Sequence, residues 1–574
     1  MSTVNRSKAP ITRPPLTAAI GPESTPGERS CVAAIYCKWL AYALPLQVLD
    51  GSDQDGGFDD EQTGWCVGRQ AAYWLARLIG GVCWGEAIDV DRERLREAVR
   101  RAAKFIVRRQ APDGRIDLSG TYSHNEAGFP VSGLVAAYKH LQIADPDLFG
   151  EVGADLKTYI QRACEAVLND QGHTANHRWT AACAPLAAAH SLWPDERYIA
   201  KIEDYLSDGL DCDEDGFWYE ERSPNYNGVA NEGLEVIADC LNRPELLQPI
   251  VRNLRLAMYM LQPNGEMDSS YSHRQDRAQA KTAATGYGMA RRIAQLTGDG
   301  RFTSLAMTAL KDETRLIHEL VPIIFKIEDH PEPLPTPLPL PADYERFYKP
   351  RQIARIRHAE NALTLAADPG GHFYCDLRDQ WGGKRYSDDW FQLHHGDVVV
   401  QSVHLAPAGG FAIQPRRLEQ LGEGSYRLAG EDPGWTHTLH FRPGSPPLEM
   451  RNDQEHVASV NWLGNTLSLD LRCTAPHALV ASLNLWIRPG VELIEGEGET
   501  PRKLCAGDIV ALRGGAAVVI RSEQYSIRLL GLPAAQHHRR ILPGQPIPSG
   551  MGRDCAVLCL GLRPPVELSL SFVF

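Results

Sequence analysis

The stretch His330-Pro331-Glu332-Pro333-Leu334-Pro335-Thr336-Pro337-Leu338-Pro339-Leu340-Pro341 divides the chain into two parts that obey different rules. Proline at alternate positions removes backbone donors and fixes φ at about −65°, so neither a helix nor a sheet ladder runs through it. An extended polyproline II strut is the expected form. Before it, apolar residues recur at three- and four-residue steps; after it, they recur at two.

On the N-terminal side, from Ser30 to about Ile324, amphipathic segments follow one another. CVAAIYCKWLAYAL, WCVGRQAAYWLARLI, DRERLREAVRRAAKFIVRR, VSGLVAAYKHLQ, DLKTYIQRACEAVL and AACAPLAAAHSL lead to ERYIAKIEDYLSDGL, GLEVIADCLN, IVRNLRLAMYML, TAATGYGMARRIAQL and FTSLAMTALKDETRLIHEL. This periodicity predicts roughly eleven helices. The breaks carry Asp-Gly, Asn-Gly, Gly-Asp-Gly and Pro, which are turn chemistry. Stacked helical hairpins in an incomplete (α/α) toroid are expected, without a strict sequence repeat.

On the C-terminal side, ALTLAAD, GDVVVQSVHL, ASVNWLG, LSLDLRC, ALVASLNLWI, AAVVIRS, AVLCLGL and VELSLSFVF alternate or run apolar between Gly and Pro turns. Many short strands at regular spacing predict an antiparallel β-sandwich. The class is therefore multidomain α+β. The expected divisions are a flexible tail over 1–28, a toroid over 29–325, a Pro-rich linker over 326–344 and the sandwich over 345–574.

A chain of 574 residues exceeds what one core fills, which agrees with several domains. Its formal charge of −13 argues against a general nucleic-acid binder or a membrane-surface protein, though a local basic cleft can still take an acidic ligand. Thirteen cysteines without CxxC or finger spacing point to reduced thiols rather than a disulfide framework. The polar, Pro- and Ser-rich start has no apolar signal core, so a cytoplasmic location is expected. No apolar run has the length of a membrane span.

Polar loops containing aromatic residues recur at Tyr122 to Glu126, Asn176 to Arg178, Ser223 to Asn227 and Tyr271 to Arg274. Their spacing of about fifty residues is two helices and their turns, so all four should open on one rim. Asn176 and His177 stand at the start of an Ala-rich helix, where an Asn can equally serve as a plain cap. Tyr226 stands in Ser-Pro-Asn-Tyr-Asn, read as a polar turn ahead of a helix, where a packing role is equally open. Arg178 and Arg222 flank these groups. Together an amide, an imidazole, a phenol and arginines can hold a carboxylate, remove the proton beside it and protonate a leaving oxygen.

His124 and His273 belong to the same loops, and Arg274 and Arg277 could grip a sugar carboxylate or pair internally with Asp276. Asp213-x-Asp215-Gly216 lacks the remaining ligands of a calcium loop and reads as a turn. A glycoside hydrolase needs two carboxyls across the scissile bond, and this segment could supply one such as Asp215. His394 and His395 sit in a strand, where they face opposite sides.

TANHRW (174–179) and DGFWYEERSPNYN (215–227), with the toroid and sandwich, resemble the heparinase II/III-like and oligoalginate-type polysaccharide lyases. The resemblance implies β-elimination on uronate glycans, with Asn176 and His177 at the uronate carboxylate and Tyr226 protonating the leaving oxygen. It also implies a further group completing the site, with His124, Tyr271 and His394 as candidates. The substrate-binding set expected is His124, Arg178, Arg222, Tyr271, His273, Arg274 and His394, and the partner an acidic polysaccharide or oligosaccharide. No cofactor is expected. Some relatives hold a structural zinc in the sandwich, for which no ligand set can be assembled here. The rival readings are a toroid glycoside hydrolase and a non-catalytic glycan-binding protein.

Overall fold

The computed structural model describes residues 27–60, 64–118, 120–169, 176–219, 223–272, 281–282, 286–311, 323–367, 390–407, 415–432, 437–439, 448–450, 454–475, 480–537 and 555–574. The helices begin with α1 (Glu28–Ala43), α2 (Gly68–Trp84), α3 (Arg92–Arg109), α4 (His124–Gly128), α5 (Val131–Ala144) and α6 (Pro146–Leu168). A π-helical segment, Asn176–Cys183, runs into α7 (Ala184–His190). Then come α8 (Glu196–Ser207), α9 (Pro224–Leu241), α10 (Leu247–Tyr259), α11 (Tyr287–Thr297) and α12 (Gly300–Ala309). A last helix, α13, spans residues 323–329.

Their starts follow from local chemistry. Asp91, Asp145, Asp195 and Asp299 accept backbone N–H groups at the heads of α3, α6, α8 and α12, and Pro146 occupies the first turn of α6. Ser223 caps α9 through the Tyr226 N–H, with Pro224 at its first position. Tyr226 therefore lies in the first turn of a helix, not in the turn that the Ser-Pro pair suggests.

Helices α2, α5, α7, α9 and α11 touch in succession as an inner ring, and each is backed by α3, α6, α8, α10 or α12 outside it. The axis is occupied by α13. Phe325 stacks on His140 of α5, Lys326 pairs with Glu235 of α9, and Ile324 lies against Gly80 of α2.

The turns that lead into inner helices share a conformation. Gly56, Gly114, Gly216 and Gly265 have φ of +85°, +87°, +94° and +84°. A Cβ at the first three would fall 2.3 Å from Arg101 O, 1.9 Å from Arg162 O and 2.5 Å from Arg252 O, all on outer helices. Glycine is thus required twice, by the backbone angle and by the close approach. After one such turn, Asp117 is buried and accepts Gly68 N–H at 3.1 Å and Arg109 Nη2 at 3.1 Å, fixing the head of α2.

The C-terminal part is built on two large packed sheets, beside a two-stranded one of His437–Leu439 and Leu448–Met450. The first runs in the order Ile509–Ala511, Ala556–Leu562, Ala481–Ile487, Val398–Pro407, Phe391–His395, Asn361–Ala366, Ile353–His358, Asp343–Tyr348. The second runs Arg417–Gly422, Ser425–Asp432, Gln454–Leu463, Thr466–Thr474, Val566–Val573, Ser526–Leu530, Val518–Arg521, Glu492–Glu495, Arg502–Lys503. Pairing is antiparallel except for Ile509–Ala511, which runs parallel to Ala556–Leu562. Ala481–Ile487 and Ala556–Leu562 are buried at every position, which explains their unbroken apolar runs. Val566–Val573 alternates because only one of its faces is covered.

One face of the first sheet rests on the toroid. Arg355, wholly buried, donates to Leu261 O at 3.0 Å and Gln262 Oε1 at 2.7 Å; Gln262 donates to Gln392 Oε1 at 2.6 Å. Thr364 donates to Asp268, and Arg488 to Glu266. Phe217, Leu256, Met260, Tyr271, Tyr348, Ile353 and Ala366 form an apolar patch beside these bonds.

Candidate active site

Because inner and outer helices alternate, the loop-fed heads of the inner helices share one rim of the ring. The π segment and α9 are pinned together there. Thr180 Oγ1 donates to Val229 O, and a Cβ on Gly233 would come 2.5 Å from the Trp179 carbonyl carbon. His177 is three residues before Thr180, and Tyr226 three before Val229. Tertiary packing has brought the imidazole- and phenol-bearing turns side by side, although 49 residues separate them (226 − 177).

Helices α2 and α4, with the turn after α4, add groups that sequence reasoning did not single out. Arg69 stands in the first turn of α2, and its Nε lies 2.6 Å from Glu126 Oε2. Its guanidinium carbon is 5.4 Å from the ring centres of both Tyr73 and Phe129. Phe129 in turn meets His177 edge-on, ring centres 6.0 Å apart. Burial works against the Arg69 charge, yet Tyr73, Glu126 and Tyr226 outweigh it and hold the guanidinium above its ordinary range. Burial also pushes the Tyr73 phenol up, with Arg69 opposing. Arg69, Tyr73, Glu126, Phe129, His177 and Tyr226 thus form one cluster. The sequence carried no distinguishing signal for Arg69, since Arg92, Arg197 and Arg301 also stand in the first turns of helices.

The remaining expected residues are distributed as follows. The backbone of Asn176 opens the π segment, and its side chain lies outside the described residues, as do Arg222, His273 and Arg274. Arg178 faces the outer layer: it stacks on Tyr205 of α8 at 5.9 Å and lies 3.8 Å from Asp208 and 3.6 Å from Asp211. Partial burial raises the Asp211 carboxyl, with Arg178 opposing. His124 is the first residue of α4, whose cap is Ser123, where a loop was expected. Tyr271 is buried and lines a small hollow with Asn227, Asn231 and Met260.

His394 has no exposed surface. It faces the seam with the toroid, not an open cleft, and burial followed by Arg488, Arg355 and Arg357 drives its pKa well down. Asp213, in the turn read as a partial calcium loop, accepts Phe217 N–H at 2.8 Å and lies 2.7 Å from Arg351 Nε. Among the described residues no three His, Cys, Asp or Glu side chains gather as a metal set. No described helix is long and apolar enough to cross a membrane.

Three aromatic side chains stand exposed on segments that feed this rim: Trp65 (41%), Tyr122 (46%) and Tyr219 (60%). Arg109 backs Trp65 at 5.1 Å and Arg351 backs Tyr219 at 4.3 Å, so these two rings are braced.

No family model matches the chain, and no curated protein matches it. Among solved structures, a chondroitin AC lyase of Streptomyces coelicolor A3 in complex with chondroitin sulphate is similar over 97% of this chain and 80% of its own, with 13% identity and a TM-score of 0.50. A point mutant of that enzyme gives 11% identity over the same shares, also at 0.50. A chondroitinase AC lyase studied with bound oligosaccharides covers 96% and 81% at 11% identity and 0.46. At such identities the likeness is one of fold: a helical toroid followed by β-sheets.

Proposed function

We propose that the protein is a polysaccharide lyase that cleaves uronate-containing glycans by β-elimination and leaves a 4,5-unsaturated uronate end. The observation that carries this reading is the convergence of His177 and Tyr226 on one rim, with Arg69 within electrostatic reach of the phenol. Exposed, braced aromatic rings on the same rim supply flat apolar faces against which sugar rings can pack. The fold shared with chondroitin AC lyases agrees with it but does not decide it.

The C5 proton of a uronate is a poor acid, because the enolate places a second negative charge on the carboxylate. In the proposed reaction Asn176 and His177 stabilise that group; preorganised donors of this kind are worth about 3 to 4 kcal/mol each. His177 or Tyr226 takes the C5 proton, and Tyr226 gives a proton to O4 as the C4–O4 bond breaks. Electrons of the C5–H bond become the C4–C5 double bond, and the leaving chain departs as an alcohol.

Incubation with hyaluronan, unsulfated chondroitin and alginate should give a rise in ultraviolet absorbance from the unsaturated end. Tyr226→Phe should lower kcat by about a hundredfold or more with the thermal midpoint preserved. Asp215→Asn should leave it unchanged. Release of reducing ends without absorbance, together with loss of activity in Asp215→Asn, would instead establish hydrolysis.

A further inference from the structure

Three polar atoms at the rim are shielded from solvent and make no hydrogen bond among the described residues: Arg69 Nε, Glu126 Oε2 and Asn125 Oδ1. The first two approach to 2.6 Å, but out of line for a hydrogen bond. The pair is not sealed, since 32% of the arginine side chain and 16% of the glutamate still face solvent. The Phe129 and Tyr73 ring centres each lie 5.4 Å from the guanidinium carbon and the Tyr73 hydroxyl also bonds the guanidinium, so its position is preset. The ion pair balances the two charges, but neither Arg69 Nε nor Glu126 Oε2 nor Asn125 Oδ1 has an aligned hydrogen-bond partner among the described residues, which a ligand can supply.

We propose that Arg69, Glu126 and Asn125 form a subsite that reads the hydroxyl groups of a sugar unit beside the scissile bond. The inference rests on the lyase reading for the identity of that bond. Charge decides between hydroxyls and a carboxylate. The Arg69 cation is already compensated by Glu126, and an incoming carboxylate would meet that like charge at close range. A hydroxyl donates and accepts at once, so a vicinal pair satisfies a guanidinium edge together with a carboxylate or amide oxygen. Arg69 holds the donors, while Glu126 and Asn125 hold the acceptors. His177 and Tyr226 remain with the carboxylate and the leaving oxygen.

The sign of one substitution separates the possibilities. Kinetics and titration calorimetry with hyaluronan, unsulfated chondroitin and alginate would be run on the wild type, Glu126→Gln, Asn125→Ala and Arg69→Lys. The subsite predicts that Glu126→Gln and Asn125→Ala each raise KM and Kd by about tenfold, with kcat changed by less than about threefold. Arg69→Lys, which keeps the charge but loses the fork, should do the same. A lower KM in Glu126→Gln overturns the inference, because the arginine then clamps the carboxylate and Glu126 opposes it. Unchanged KM and Kd overturn it as well, leaving the pair a brace; so does a collapse of kcat at constant KM. Should Glu126→Gln fail to fold, Asn125→Ala still decides: KM and Kd raised about tenfold support the subsite, and unchanged values overturn it. A wild type that binds a polymer without forming unsaturated product counts against the lyase reading alone, and Kd then decides the subsite. A wild type that binds none of them overturns both.

Discussion

At the scale of single residues, His394 shows how burial converts into pH dependence. Its folded-state pKa is driven well below the ordinary 6.5 by burial, with Arg488, Arg355 and Arg357 adding to the shift. The stability contribution is therefore complete above the unfolded value and is lost as pH falls below it, because the unfolded chain takes up a proton that the native state excludes. Each pH unit in that window weighs about 1.4 kcal/mol for this one group. The urea midpoint of the wild type should fall between about pH 6.5 and 5.5, and His394→Leu should fall less steeply; parallel slopes would refute the assignment. The sequence offered both neighbouring histidines as strand residues on opposite faces, and the structure has one fully buried and one half-buried. Which of them met the toroid depended on sheet register. Arg69 was hidden for a similar reason: its partners Glu126 and Phe129 come from α4 and the turn that follows it, about sixty positions away.

At the scale of elements, the toroid is built from a repeated turn rather than a repeated sequence. Gly114 combines φ of +87° with a site where a Cβ would lie 1.9 Å from the Arg162 carbonyl oxygen. Gly114→Ala should cost about 2 kcal/mol or more, since left-handed backbone strain and the clash add. Gly298→Ala, also at positive φ but in open space after α11, should cost only about 1 kcal/mol. Chemical denaturation of the two variants tests whether close packing, and not the angle alone, keeps these glycines. Asp-Gly and Asn-Gly marked the turns in the sequence, but nothing local revealed that each would rest on an outer helix. The Ser-Pro pair before Tyr226 was legible as a break, while its function as cap and first residue of α9 appears only with the Tyr226 N–H bonded to Ser223.

At the scale of the whole molecule, the toroid and sandwich are joined by a buried polar seam in which Asp268 is fully buried and accepts from Thr364, beside Arg355 and Gln262. Thr364→Val preserves shape but deprives that carboxylate of a donor, at about 1 to 3 kcal/mol. Calorimetry should show one cooperative unfolding transition in the wild type, and a separation into two in Thr364→Val combined with Arg355→Met; a single unchanged transition in the variant would show that the seam does not couple the two parts. The sequence by itself determined the helical period, the strand period and the proline strut between them, because each is a rule about neighbours along one chain. It also supplied the Asn-His and Ser-Pro-Asn-Tyr segments and, from their spacing of two helices, the expectation that they open on one rim. Only the tertiary structure decided that the segments of His177 and Tyr226 touch through Thr180 and Val229, that Arg178 turns to the outer layer, and that Arg69 and Glu126 belong to the same cluster. Those outcomes depend on which helices touch around the ring, and that is set by packing between residues dozens to hundreds of positions apart.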